Sequence, residues 1–208
     1  MPDLFSTPVL VIEGSSSLPD FQVTDPQGTV LARATQVVGP QPKNAIQRFL
    51  KSGDTSRVVL QVSSPDGTPL FFADRPAYRP SAIRPPCAIV APDGSLIGRV
   101  EHDAAELGRS FLAGGGTGAV TAFKLLDASG HPLGRADFEA VSMRQGIDHR
   151  PIAVGGRYCV YRDMNGVEIA HMDADRRSTL QLPYSLPDPL RLLVIASPLA
   201  FALMVEAD

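Results

Sequence analysis

The stretch Phe123-Lys124-Leu125-Leu126-Asp127-Ala128-Ser129-Gly130-His131-Pro132-Leu133-Gly134-Arg135 reads as a β-hairpin. Asp127 opens a turn whose backbone its carboxylate can bond, and Gly130 closes it in the left-handed conformation. The same four-residue turn recurs as Asp25-Pro26-Gln27-Gly28, Ser64-Pro65-Asp66-Gly67, Ala91-Pro92-Asp93-Gly94 and Asp163-Met164-Asn165-Gly166. Where Pro stands second, it presets the φ of a type I turn, and a following glycine at positive φ makes the bulge of a G1-type hairpin. The flanks repeat as well. Seven residues before each glycine stand Phe21, Leu60, Cys87, Phe123 and Cys159; five before stand Val23, Val62, Ile89, Leu125 and Tyr161. These positions lie two apart and share one face of a strand. Three after each glycine come Leu31, Leu70, Ile97, Leu133 and Ile169, and four after come Ala32, Phe71, Gly98, Gly134 and Ala170, mostly small. Five after come Arg33, Phe72, Arg99, Arg135 and His171, basic in all hairpins but one.

The turn glycines are spaced 39, 27, 36 and 36 residues apart. That interval holds two or three strands, too few for the four-stranded blade of a propeller. Five hairpins, with Val9–Ile12 and either Ala140–Met143 or Leu180–Leu182 added, predict a mainly β chain, a closed antiparallel β-barrel of about 12 strands or a large sandwich. Composition agrees: among 208 residues stand 18 Gly and 19 Pro, about 18% together against roughly 12% in an average protein. Hydrophobic residues are 44% and charged residues 20%, a globular composition. Asn44–Lys51 reads as a short amphipathic helix, residues 76–86 as an extended Pro-rich connection and residues 144–157 as a polar loop. No linker separates the repeats, so residues 1–208 are read as one domain, with hairpins over 9–187.

Leu192 to Val205 is apolar apart from Ser197 and carries Pro198 near its middle. A membrane-spanning helix needs about 20 apolar residues, and this run is shorter. A helix apolar on every side must be enclosed, and the expected enclosure is the barrel itself, with a buried helix over 189–205. Asp188 is expected to cap it, with Pro189 at the first helical position, and Pro198 to kink or break it. Neither this segment nor Val9–Ile12, too short for a signal sequence, is expected to enter a membrane. With only Cys87 and Cys159 a disulfide framework is not expected, and the expected compartment is the cytoplasm.

Repeated Asp-x-x-Gly hairpins followed by Leu190-Arg191-Leu192-Leu193-Val194-Ile195-Ala196 and an apolar tail resemble the LURP-one-related and phospholipid scramblase families over approximately residues 18–208. The resemblance implies the Tubby C-terminal-like fold, a roughly twelve-stranded barrel threaded by a hydrophobic C-terminal helix. It also implies a mostly non-enzymatic protein, since Tubby domains bind phosphoinositides and scramblases are linked to lipid movement and calcium. The Pro-rich, Cys-rich and acidic segments of scramblases have no counterpart here, so scrambling activity is not implied, nor is any individual site residue.

The sequence carries little catalytic chemistry. His171-x-Asp173-x-Asp175 places three ligand types on one strand face, a spacing able to serve a metal-dependent enzyme; Arg176 and Arg177 follow directly and a solvated polar face is the simpler reading. Gly114-Gly115-Gly116-Thr117-Gly118 lacks the Lys-Ser/Thr of a phosphate loop. Ser15, Ser16 and Ser17 have no histidine assigned to them, Cys87 and Cys159 occupy an apolar repeat position, and Glu101 and Asp103 read as a surface cluster with Arg99. A net charge of −3 and a pI near 5.8 argue against nucleic acid as partner. The most informative feature is the basic set Arg33, Arg99, Arg135 and His171, candidate contacts for an anionic lipid headgroup or phosphorylated ligand. Simple alternation points this set inward; either a bulge turns it out, or the arginine stems line the core and reach the rim. The expectation is a non-catalytic binding module, without cofactor or metal, slightly favoured as a monomer, whose partner is an anionic phospholipid or a protein. One consequence is testable at once. A chain ending at Pro189 should be insoluble or molten, because the barrel loses its filling; a soluble truncated chain with a cooperative denaturant transition would contradict the buried-helix reading.

Overall fold

Alternating apolar residues and bulged turns produce the expected closed sheet. A computed structural model describes residues 3–14, 21–39, 56–78, 85–103, 122–140, 143–145, 151–153, 157–173, 178–183 and 186–205. The strands are β1 (Val9–Gly14), β2 (Phe21–Thr24), β3 (Val30–Val38), β4 (Val58–Ser63), β5 (Pro69–Arg75), β6 (Cys87–Val90), β7 (Leu96–His102), β8 (Ala122–Asp127), β9 (Pro132–Ala140), β10 (Met143–Gln145), β11 (Pro151–Ala153), β12 (Arg157–Asp163), β13 (Glu168–Asp173) and β14 (Ser178–Gln181). One helix, α1 (Leu190–Val205), follows them. Twelve strands close antiparallel in the order β1-β14-β13-β12-β9-β8-β7-β6-β5-β4-β3-β2. β10 and β11 form a separate hairpin, which corrects the expected loop over 144–157. The proposed helix Asn44–Lys51, the loop Gly114–Gly118 and Ser15–Ser17 lie outside the described residues, as do residues 79–84 of the Pro-rich connection.

All five turns form as their residues dictate. The glycine N–H of each donates to the carbonyl three residues back at 2.9–3.1 Å, and each of these glycines has φ between +80° and +89°, where a β-carbon is strained. Asp127 Oδ1 accepts the Ser129 and His131 amides at 2.8 and 2.9 Å, and Asp163 Oδ1 accepts those of Asn165 and Val167 at 2.9 Å each. The Pro-Asp-Gly turns use their third residue instead: Asp66 accepts the Thr68 amide at 3.0 Å and Asp93 the Ser95 amide at 2.9 Å.

Each hairpin also carries a second register shift, at Val23/Thr24, Val62/Ser63, Ile89/Val90, Leu125/Leu126 and Tyr161/Arg162. The extra residue is Leu31, Leu70, Ile97, Leu133 or Ile169. The shift resets the alternation, so the small residue after the extra one faces the interior and the basic residue after that faces outward. Ala32, Gly98, Gly134 and Ala170 are accordingly buried while Arg33 is exposed. The small side chains make room for α1. A β-carbon on Gly98 would stand 2.3 Å from the Leu126 carbonyl oxygen and 3.0 Å from Leu193 Cδ2, and one on Gly134 would stand 2.7 Å from the Arg162 oxygen.

The helix fills the barrel and packs most closely against β5, β6, β7 and β8. Leu193, Val194, Ala196 and Ala200 are fully buried with the inward residues of the strands in one core. It enters at the turn end, with Leu190 near Gly134, and reaches the far end at Phe201, whose ring stands 4.4 Å from Phe123 and 5.0 Å from Phe138. Arg191 N–H donates to the Pro187 carbonyl and Leu193 N–H to the Pro189 carbonyl, each at 3.0 Å, and α1 begins at Leu190, so Pro189 precedes the helix, which starts one residue later than the sequence suggests. The helix also runs through Pro198 without the break proline invites. Proline has no N–H for the Val194 carbonyl; Ser197 Oγ donates to that carbonyl at 2.8 Å instead. With its proton spent there, Ser197 accepts from the Tyr161 hydroxyl at 2.7 Å. Tyr161 is wholly buried, and burial holds its phenol well above the ordinary range.

Two expectations follow for stability. Ser197→Ala leaves two buried polar groups unpaired and should cost about 1–3 kcal/mol, whereas Tyr161→Phe removes one donor and should cost about 1 kcal/mol or less. Denaturant titration of both variants ranks them, and the reverse order would show that the proline-orphaned carbonyl is not the main demand. The turn carboxylates set the acid limb. Backbone donation by His131 and by Val167 holds Asp127 and Asp163 below 3.8, and hydroxyl donation by Ser64 and Ser95 does so for Asp66 and Asp93. A depressed carboxylate contributes stability above its unfolded pKa and loses it as pH falls through its folded pKa. Unfolding free energy should therefore be level from about pH 7 to about pH 5 and fall below about pH 4, with a shallower fall in the Asp127→Asn/Asp163→Asn double variant. An equal slope in both proteins would remove the turns as the cause.

Candidate functional site

The second bulge puts the basic repeat positions on the outer wall. Arg33 lies on β3, Arg99 on β7, Arg135 on β9 and His171 on β13, and at least one strand separates each from the next around the barrel. They are not one cluster. Register gives Arg33 the neighbours Gln22 and Ser63, and Arg99 the neighbours Ala88 and Leu126. Arg135 and His171 are drawn into two different local arrangements.

The first is a charged row. In-register partners on adjacent antiparallel strands point to the same face. Glu101 pairs with Lys124, Lys124 with Arg135, Arg135 with Arg162 and Arg162 with Glu168, across β7, β8, β9, β12 and β13. Three cations therefore stand side by side between two glutamates. Beside them on the same outer face, two residues along β9 from Arg135, Asp137 is buried to 7% side-chain exposure while its two arginines keep 41% and 31%. Its Oδ1 accepts from Arg135 Nε at 2.9 Å and from a terminal nitrogen at 2.6 Å; its Oδ2 accepts from Arg162 at 2.8 Å. Lys124 Nζ, 38% exposed, stands 3.1 Å from Asp103 Oδ1. Asp103 is thus a buried partner of Lys124, not a surface companion of Arg99.

The second arrangement surrounds His171. Its Nδ1 lies 3.4 Å from Glu168 Oε1, and its ring stacks on Tyr158 at 5.7 Å. β14 pairs with β13 only from His171 onward, so the Glu168–Ala170 edge opens into a groove of about 360 Å³ that Pro8, Gln181 and Pro183 help to line. Asp173 shares the outer face with His171, while Asp175, Arg176 and Arg177 lie outside the described residues. Among the described residues no three His, Cys, Asp or Glu side chains gather to hold a metal ion.

The cysteines are fully buried, and desolvation pushes the Cys87 thiol up to about 12, which suits core packing and not nucleophilic attack. Arg191, a lone flanking charge in the sequence, closes the turn end of the barrel. It is 6% exposed and donates to the carbonyls of Phe5, Pro183 (2.8 Å) and Thr7 (3.4 Å), fastening the N-terminal turn over the helix entry. No described helix is long and apolar enough to cross a membrane.

No family model and no curated protein matches the chain. A solved X-ray structure of a protein from Arabidopsis thaliana aligns over 92% of this chain and 91% of its own, at 12% identity and a TM-score of 0.46.

Proposed function

We propose that the chain is a non-catalytic binding module of the LURP-one-related and scramblase-like kind, and that it takes a phosphate-bearing anion, a lipid headgroup or a soluble phosphorylated ligand, on its outer wall. One observation carries this reading. The repeated second bulge turns Arg33, Arg99, Arg135 and His171 away from the core, where charge-assisted hydrogen bonds to phosphate are available. The interior is taken by α1, which leaves the wall as the surface for a ligand. The burial of both thiols supports the non-catalytic part.

Vesicles of phosphatidylcholine with and without acidic lipid, and soluble phosphorylated compounds, test the reading at two salt concentrations. Binding to at least one phosphate-bearing probe is expected at low salt, and it should weaken as added salt shortens the screening length. Absence of binding to every such probe at low salt would sink it.

A further inference from the structure

We infer that the groove at the seam of β13, β14 and β1 docks an extended peptide segment of a protein partner. The segment pairs its backbone with Glu168, sets a lysine or arginine against the Glu168 carboxylate and rests an apolar side chain on Met164 and Val167. The inference stands apart from the phosphate reading above.

The groove exists because the fifth hairpin has no successor. In the other four, the strand beside the second arm runs into a turn of its own: Ser63 leads into 64–67, Val90 leads into 91–94, and Asp127 and Asp163 open theirs. β14 has no such turn. It meets β13 only at His171, Met172 and Asp173. Beyond Gln181 the Leu182 N–H donates to the Pro8 carbonyl at 2.9 Å, so the chain swings toward β1. The start of β13 then has no described strand on that side, and Pro8, Val9, Ile169 and Leu182 line the space.

The backbone is presented to that space. The Val167 carbonyl accepts from the Asp163 N–H at 2.9 Å and so points toward β12. Across a trans peptide the next N–H points the opposite way, and in an extended residue the N–H and C=O share a side. Glu168 therefore turns one donor and one acceptor to the groove, the pair that a strand added to a sheet edge would bond. From Glu168 to His171 the edge runs about 10 Å, the length of three or four extended residues.

Two further observations give the partner its chemistry. Glu168 is the one acidic residue lining the groove, and no lysine or arginine lines it among the described residues. Its side chain is 52% exposed, and its register partner Arg162 is bonded to Asp137. The apolar part comes from the turn. The residue after the turn glycine is Thr29, Thr68, Ser95, His131 or Val167, and the second turn residue is Pro26, Pro65, Pro92, Ala128 or Met164. Met164 and Val167 are 60% and 58% exposed, and Val167 adjoins Glu168. The other turns form without large apolar side chains at both places, so folding does not ask for this pair, and exposed apolar residues gathered beside an open edge mark a contact surface.

The test selects a displayed library of random heptapeptides on the full chain and measures the enriched peptides by fluorescence polarisation. Enriched sequences should alternate apolar residues with at least one Lys or Arg. Glu168→Lys should weaken the best peptide by about tenfold or more. N-methylation of that peptide's amides, one at a time, should find a position that costs about tenfold. Met164→Ala and Val167→Thr together should weaken it several-fold. Both replacements are residues that other turns carry, so they report on the patch even where Glu168→Lys is unstable, and thermal melting checks each variant. Glu101→Lys, the same charge reversal at the other end of the wall, should change nothing. A parallel arm offers phosphatidylcholine vesicles. No enrichment, enriched sequences without a basic residue, or binding indifferent to Glu168→Lys and to the Met164→Ala/Val167→Thr pair overturns the inference. Vesicle binding that the same pair abolishes, with no peptide enriched, also overturns it and gives the patch to a membrane. Each of these outcomes leaves the phosphate reading to its own test.

Discussion

A closed barrel of twelve strands must be filled. Eight strands enclose about the space their own side chains occupy, and diameter grows roughly in proportion to strand number. With four strands more, the inward Phe, Leu, Val and Ile residues leave an axial space, and α1 occupies it. The rest of the structure depends on this fit. The helix is apolar all round because protein surrounds it, Gly98 leaves the space that Leu193 and a neighbouring strand's carbonyl take up, and Arg191 is buried because the end of the barrel has to be shut with carbonyl ligands instead of water. A membrane would satisfy the same hydrophobicity, but it would not explain a wall glycine placed opposite Leu193.

The repeated hairpin satisfies two requirements with one device. The turn glycine supplies the first bulge, and the extra residue at Leu31, Leu70, Ile97, Leu133 or Ile169 supplies the second. Bulges bend and twist strands, which a closed wall needs. The second also decides sidedness, giving the helix its small neighbours and the solvent its basic ones. The polar chain in the core that runs from Tyr161 to Ser197 to the Val194 carbonyl answers the backbone donor that Pro198 removes. It is satisfied throughout, the condition under which a buried polar group does not undermine a core.

The fold was legible because its signals are local and repeated. Turn chemistry, strand parity and an enclosed apolar tail each point to one architecture, and their agreement is what makes a sequence foldable. The cap of α1 was read one residue early, and the β10–β11 hairpin was missed because its strands are three residues each and carry little pattern. The candidate site was half legible. Arg135 stands out by its place in the repeat, whereas Lys124 and Arg162 stand at positions where the repeat sets no charge. Their adjacency depends on the pairing of β9 with β12 across the β10–β11 excursion, a long-range register that no local motif encodes. The parity of the basic positions was likewise ambiguous until the second bulge was seen, since one extra residue exchanges inside for outside.

Like charges directly opposite one another across strands destabilise a sheet, and this wall sets three in succession. Asp137 and Asp103 offset that repulsion at a desolvation cost, since both are buried beside their partners. With Glu101 and Glu168 at the two ends, four carboxylates stand against three cations, so the row is balanced from within the wall. Removing one cation alone would leave a buried carboxylate short of a partner, which costs more than the like-charge contact it relieves.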